Sequence, residues 1–484
     1  MTRWDEHGRP TPDAWAEELA LREQFAGYRG ADDDYLHAGR EALERWWDRK
    51  FGIRIHWSVY CQPANGPESW PLTRPRDNGI ANAATYRAQY EELYRGFCPS
   101  AFDATAWCDL FCRAGLRFFS FTTKHHDGFS MYHTRTRVRR RRVHVGPDAG
   151  RIVDCDLAYS IAESPFERDI VGELVAAGRA RDLGISLYFS HIDWFDADFR
   201  IDDWNYQRDP AYTPESDPEG FARLIARHRA QLVELCSHYG PLDQISLDMN
   251  FPDNGRRHGL REAMVETVKQ IRRLQPQVLL RDRGIQPYGD YCTPERTVPA
   301  DPHDPNSTHG LPWKVIFPGS DHFSYVWGDN YKPASWLIEN LVDIVAKGGL
   351  FQVGYGPGPS GAFDAEVVRT LEQMGDWLAI NGRGSYGTRP YRVFSEGPNV
   401  RYTQSKDGGT AWAFVTGWQD STASLRLREV TPRAGSAVRM LGLDHAFDWR
   451  VDTDGLTITM PAWFADPDQR PCQTAFAFEI ELDR

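Results

Sequence analysis

Several things are missing from this chain, and each absence excludes a class. No stretch approaches eighteen consecutive apolar residues, so nothing reads as a membrane-spanning helix. The first 28 residues are polar and acidic with no apolar core, so no signal peptide is expected and the expected location is the cytoplasm. The eight cysteines (61, 98, 108, 112, 155, 236, 292 and 472) contain no CxxC pair and no regular framework. That speaks against a disulfide scaffold and reads as reduced, mostly buried thiols. Cys108 and Cys112 are four apart, but on an amphipathic helix, where packing accounts for them. Basic charge is also short: 56 Lys and Arg face 68 Asp and Glu, for a net charge of -12. This argues against a nucleic-acid partner. One basic run, residues 137–142, could bind phosphate; in an acidic protein it reads instead as a solvated loop paired with its own carboxylates.

What is present is a large globular composition. At 41% hydrophobic and 26% charged, 484 residues can bury a sizeable core in two or three domains. The 17 Trp, 20 Tyr and 25 Phe either fill that core or offer flat faces to the C–H faces of sugars.

Periodicity divides the chain in three. Residues 1–45 carry a helical stripe through Trp15, Leu19, Leu21, Phe25 and Tyr28. From 46 to 390 apolar strands alternate with amphipathic helices. Strands are expected at 51–57, 116–123, 185–190, 244–248, 278–282 and 350–355. Helices are expected from 103 and at 168–182, 221–239, 261–274, 334–347 and 364–380. Residues 290–330 are poorly defined by this pattern. Strands alternating with helices imply a parallel sheet, and this number of units favours a (β/α)8-like barrel over an open sheet. From 391 to 484 short alternating runs such as 411–415, 423–427 and 456–460, with Asp-Gly turns at 407–408 and 454–455, read as an antiparallel β-sandwich.

The strand ends carry the chemistry. One strand runs into His56-Trp57, another into Lys124-His125-His126-Asp127-Gly128 and a third into His191-Ile192-Asp193-Trp194. The next ends at Asp248, and the one after at Arg281-Asp282-Arg283. In a parallel barrel these ends share one rim, so the side chains converge. Histidines, carboxylates, arginines and tryptophans around one pocket suit a polyhydroxylated ligand. A metal site built on His125, His126 and Asp248 is the competing reading; adjacent histidines on an extended backbone should point apart, which weakens it. Glycoside hydrolysis needs two carboxyl groups. Asp248 is the nucleophile candidate because an apolar strand delivers it to the rim. Glu295 is the acid/base candidate on a nearby loop, with Asp290 as competitor.

These pieces, in this order, resemble the α-L-fucosidases of glycoside hydrolase family 29. The matching segments include Lys50-Phe51-Gly52-Ile53 through His56-Trp57, Thr122-Thr123-Lys124-His125-His126-Asp127-Gly128-Phe129, Asp282-Arg283-Gly284, 289–295 and Tyr386-Gly387-Thr388-Arg389-Pro390. The resemblance implies retaining hydrolysis of a terminal L-sugar from an oligosaccharide or glycoside, with no cofactor and no metal. It puts Asp248 at the nucleophile, Glu295 at the acid/base and Arg283 beside the nucleophile. His56, Glu68, Trp70, His125, His126 and Tyr188 become sugar-binding positions, and Trp194 joins them from its strand end. The chain departs from the family where Ser246-Leu247-Asp248-Met249 replaces Trp-Phe-Asp-Gly, where Ser69 separates Glu68 from Trp70, where Phe189 replaces the second tyrosine of a pair, and at Gly354-Tyr355-Gly356-Pro357. These changes fall in sugar-facing positions and leave L-galactose or L-glucose open beside L-fucose. A catalytically weak sugar-binding protein on the same scaffold is also open.

Overall fold

A computed structural model describes residues 3–250, 259–418 and 423–483. Helix α1 (Pro12–Gln24) leads to α2 (Arg40–Arg49), which runs across residue 45 into the first strand. The strands that follow are β1 (Phe51–Ile55), β2 (Phe118–Lys124), β3 (Val138–Arg142), β4 (Ile152–Leu157), β5 (Gly184–Ser190), β6 (Gln244–Asp248), β7 (Leu279–Leu280), β8 (Lys314–Pro318) and β9 (Leu350–Tyr355). Between them lie α3 (Ala83–Tyr90), α4 (Ala104–Arg113), α5 (Ile170–Arg179), α6 (Pro218–His238), α7 (Leu260–Leu274), α8 (Pro305–Thr308) and α9 (Ala334–Ala346), and α10 (Ala365–Asn381) follows β9. Helices α4, α5 and α6 start on an aspartate cap. Asp103, Asp169 and Asp217 accept the backbone N–H of Ala106, Gly172 and Gly220, satisfying donors that a helix start leaves open.

Seven strands form one parallel sheet in the order β7-β6-β5-β2-β1-β9-β8. The ring is carried from β7 to β8 by the segment Tyr291 to Glu295. Parallel bridges join Arg281 to Tyr291, Cys292 to Trp313 and Glu295 to Ile316. This eighth stave has no helix between it and β7 and is made of bridges rather than a regular ladder. Hence residues 290–330 showed no strand–helix period.

Outward-facing Ile53, Ile55, Phe119, Phe121, Leu187, Ile245 and Leu247 are buried under the helices. The barrel interior is different. Branched aliphatic side chains usually fill such interiors; here Arg54 reaches from β1 past β2 and β5 to the Ser246 hydroxyl on β6 (2.7 Å), and Lys314 on β8 donates to Gln244 on β6 (2.8 Å). Ser120 and Ser186, hydrogen-bonded to each other at 3.2 Å, stand in register with Arg54 and are small enough to leave room for its guanidinium.

The basic run is a strand, not a loop: Val138–Arg142 pairs with Ile152–Leu157. Its arginines meet the protein's own acids, Arg137 and Arg139 on Asp156, Arg140 on Asp198 and Asp217, and Arg141 on Glu92. The cysteines are all free; four are buried, Cys98 and Cys112 are exposed and two lie between.

Among the described residues nine strands follow α10: β10 (Arg389–Glu396), β11 (Val400–Gln404), β12 (Thr410–Val415), β13 (Ser424–Leu427), β14 (Val438–Met440), β15 (Ala446–Phe447), β16 (Trp449–Asp452), β17 (Gly455–Thr459) and β18 (Phe476–Glu481). They make two antiparallel sheets, β10-β11-β12-β18-β14-β15 and β13-β17-β16, over a common core that includes Tyr402, Leu427, Ile458 and Phe478. The sandwich is docked on the barrel. Arg401 pairs with Asp343 on α9 (2.5 Å), and the Trp377 indole on α10 donates to the Ala475 carbonyl (3.1 Å).

Candidate active site

The C-terminal ends of the strands bring the expected residues together. Asp248 ends β6 and is 9% exposed. Its Oδ1 accepts from Arg283 Nη1 at 2.5 Å and from Arg281 Nη1 at 3.2 Å, and its Oδ2 accepts the Tyr188 hydroxyl at 2.5 Å. Burial opposes the anion, but the charges of Arg283 and Arg281 outweigh it and hold the Asp248 carboxyl well below the usual carboxylate range. The other end of the Arg283 fork, Nη2, binds Glu295 Oε2 at 2.8 Å, and Arg281 lies 3.8 Å from the same oxygen. One guanidinium therefore bridges the two carboxylates singled out in the sequence. The Glu295 side chain is 38% exposed, so it stands at the mouth while Asp248 stands within.

Three histidines form a wall. His56 is 5.6 Å from His125, and the rings of His125 and His126 are 3.9 Å apart. The expectation that neighbouring histidines would diverge is wrong here. The β2–β5 register shifts between Thr122 and Lys124, and the strand ends at Lys124, so the two histidines sit on a turning backbone. Each ring is anchored through Nδ1 on a hydroxyl: His56 on Thr122 (3.0 Å), His125 on Ser69 (2.6 Å) and His126 on Ser190 (2.7 Å). The Thr122 hydroxyl already donates to the Ile55 carbonyl, and the Ser190 hydroxyl to that of Ile192. Each of these hydroxyls must therefore accept from its histidine, which puts the proton on Nδ1 and leaves Nε2 of His56 and His126 as bare acceptors. Burial, reinforced for His56 by the Arg54 charge, lowers its pKa well below the ordinary histidine value; burial lowers that of His126 to about 4, against the pull of Asp248. The wall is neutral at physiological pH and suited to hydroxyls.

The remaining expected residues take distinct places. Trp70 packs edge-on to His126 at 5.2 Å. Glu68, 6% exposed, is held by a reciprocal pair: its N–H donates to the Ser324 hydroxyl, and its Oε1 accepts from the Ser324 N–H at 3.1 Å. Burial raises its carboxyl to about 7 against the charge of Arg296. Two assignments change. Tyr188 is fully buried and its hydroxyl is committed to Asp248, so it holds that carboxylate rather than facing a sugar. Trp194 is fully buried behind His126 with its indole N–H on Asp202 (2.9 Å), so it backs the wall without lining it. The competitor Asp290 is structural: it lies 2.5 Å from Arg272 and accepts the N–H of Ala38 and of Leu280. The tail of the histidine motif is structural too. Asp127 accepts the Tyr90 hydroxyl (2.7 Å), and Lys124 joins Asp193, Arg227 and Asp196 in a buried ion cluster. Gly128, at φ +83°, is required because a Cβ there would lie 2.1 Å from Asp193 Oδ1.

Arg54 was not singled out for the site, and Arg281 was named at its strand end without a role. Arg54 is 2% exposed, its guanidinium lies 4.9 Å over the Tyr188 ring, and its Nε has no hydrogen-bond partner. The available signal was an arginine at an inward position of an apolar strand, in register with a serine. Among the described residues no three His, Cys, Asp or Glu stand where one metal ion could be held.

A parallel barrel with two carboxylates on one arginine at its C-terminal rim, beside a wall of neutral histidines, defines a glycoside hydrolase of the paired-carboxylate class. Comparison with known proteins agrees: the family model described as Alpha-L-fucosidase matches residues 30–383, and that for the Alpha-L-fucosidase C-terminal domain matches residues 395–481. The chain belongs to the alpha-L-fucosidase family. It is 26% identical to tissue alpha-L-fucosidase of Rattus norvegicus over 466 residues, 92% of each chain, and 24% identical to plasma alpha-L-fucosidase of Homo sapiens over 458 residues, 90% of each. Among solved structures it resembles alpha-L-fucosidase isoenzyme 1 from Paenibacillus thiaminolyticus, with a TM-score of 0.75 at 25% identity over 92% of this chain and 99% of that one. It shares the fold of a GH29 alpha-L-fucosidase from Bacteroides thetaiotaomicron trapped as a covalent intermediate, with a TM-score of 0.74 at 19% identity over 93% and 97%.

Proposed function

We propose that this chain is a retaining exo-glycosidase that releases a terminal α-L-fucosyl residue, or a closely related L-sugar, from a glycoside. The observation that carries this is the shared fork of Arg283, which holds Asp248 ionised within and Glu295 at the mouth. Asp248 attacks the anomeric carbon as the bond to the leaving oxygen breaks, and Glu295 gives that oxygen its proton. The product is a glycosyl ester of Asp248. Water then attacks the same carbon, gives its proton to Glu295 and releases Asp248, so configuration is retained. The Nε2 atoms of His56 and His126 accept hydrogen bonds from the sugar's hydroxyls. The relatives support the sugar: they are named fucosidases, and one relative of the same fold is trapped covalently with 2-fluoro-fucosyl fluoride.

A second assignment of the acid is favoured by Glu68, whose carboxyl at about 7 is tuned for proton transfer at neutral pH. The test uses aryl α-L-fucoside, α-L-galactoside and α-L-glucoside with Asp248→Ala, Glu295→Gln and Glu68→Gln. Asp248→Ala should lose nearly all turnover. Glu295→Gln should lose about 10² to 10⁴ in kcat on poorly activated fucosides and recover product with added azide. If azide rescue follows Glu68→Gln instead, the acid is Glu68. Unchanged turnover of Asp248→Ala would sink the mechanism.

A further inference from the structure

The aromatic wall of the site is longer than one sugar. Trp194 is buried 5.2 Å from His126; Trp70, half-buried, is 5.4 Å from Trp194; Trp204 is 5.8 Å from Trp70 at 90° and is 45% exposed. Three indoles thus run from behind the histidines to open solvent. One buried carboxylate ties the two ends: Asp202 Oδ2 takes the Trp194 indole N–H at 2.9 Å, and Asp202 Oδ1 takes the backbone N–H of Trp204 at 3.2 Å. The Arg74 guanidinium lies over both outer rings, 5.7 Å from Trp70 and 4.8 Å from Trp204. A tryptophan scattered alone on a surface needs no explanation. This one is the outer end of a built strip, continuous with the wall beside the nucleophile.

The inner residues are nearly closed, His125 and His126 being 2% exposed and Asp248 9%. Such a pocket encloses the terminal sugar and leaves the group beyond the scissile oxygen outside it. We propose that Trp204, with Arg74 over part of its ring, is the platform for the leaving-group sugar. The pyranose next to the scissile bond lays its C–H face on the indole, and Arg74 donates to its hydroxyls. The inference rests on the fucosidase reading above and adds to it the residues that hold the leaving-group sugar.

The test compares a fucosylated disaccharide with α-L-fucosyl fluoride, whose leaving group has no ring to stack. Trp204→Ala should lower kcat/KM for the disaccharide about tenfold and leave that for the fluoride within about twofold, since the enclosed sugar is untouched. Trp204→Phe should keep most of the disaccharide activity. Equal losses on both substrates would mean that Trp204 only props up Trp70, and no loss on the disaccharide would mean that no sugar stacks there; either result overturns the platform. Failure of the unmodified enzyme to turn over either substrate overturns the fucosidase reading and the platform with it.

Discussion

Arg54 is a full positive charge inside the barrel whose hydrogen-bond partner is a neutral serine. Such a charge is costly to bury, and Tyr188, whose ring it overlies, donates its hydroxyl to Asp248. Asp248 is faced by Arg281 and Arg283 after β7, Tyr188 on β5 and His126 after β2, with Arg54 beneath. Arg54→Met removes one cation, so the Asp248 pKa should rise and the acidic limb of the kcat/KM profile should move to higher pH. A limb that stays put means the charge does not reach the carboxylate. Glu68 offers a stability test. Its folded pKa of about 7 lies above the ordinary 4.5, so the native state binds its proton more tightly than the unfolded state does. Its ionisation therefore costs nothing below pH 4.5, and the cost grows as pH rises toward 7 and is complete above it. Glu68→Gln should raise the melting temperature at pH 8, by a free energy of about 3 kcal/mol at most, with the gain shrinking steadily toward pH 4.5. A pH-independent change would show that burial does not raise this carboxyl.

At the scale of elements, the strand ends were legible because buried strands leave long apolar runs, and polar residues after them stand out. His56, His125, His126, Asp248 and Arg283 were found that way. The stave that carries Glu295 was not. It pairs through bridges to residues on both sides, has no helix after β7, and so lacks the period by which its neighbours were read. The anchoring hydroxyls of Thr122, Ser69 and Ser190 were equally hidden, because a serine or threonine has no distinguishing pattern until its partner is in place. Asp290 precedes that stave and ties it to the N-terminal segment through Ala38 and to α7 through Arg272. Asp290→Asn leaves Arg272 buried without its anion and should destabilise the fold by about 3–5 kcal/mol, read as a lower denaturation midpoint. The folded fraction should keep its kcat, because the Asp290 carboxylate is committed to Arg272 and to the N–H groups of Ala38 and Leu280.

At the scale of the whole molecule, the sandwich and barrel share apolar surface. Trp412, Phe414, Leu441, Ala475 and Ala477 belong to the same buried cluster as the barrel helices, and Trp377 and Leu378 of α10 lie in it. The change of texture near residue 390 revealed the second architecture in the sequence; the contact between the two was illegible, since it joins residues nearly a hundred positions apart. A chain ending at residue 388 would expose that α10 face, so it should aggregate on expression, whereas the full chain stays monodisperse in light scattering.

The fork of Arg283 has a consequence for charge through the whole reaction cycle. With the roles proposed above, Glu295 gives its proton to the leaving oxygen in the same step that esterifies Asp248. The negative charge lost at Asp248 is gained at Glu295, so it has only moved from Nη1 to Nη2 of the same side chain. The guanidinium is never left without a counter-ion, and no ion need enter or leave between the two halves. Arginine does this because its two amino groups are fixed in one plane and share one charge; a lysine could follow the anion only by swinging its whole chain from one carboxylate to the other.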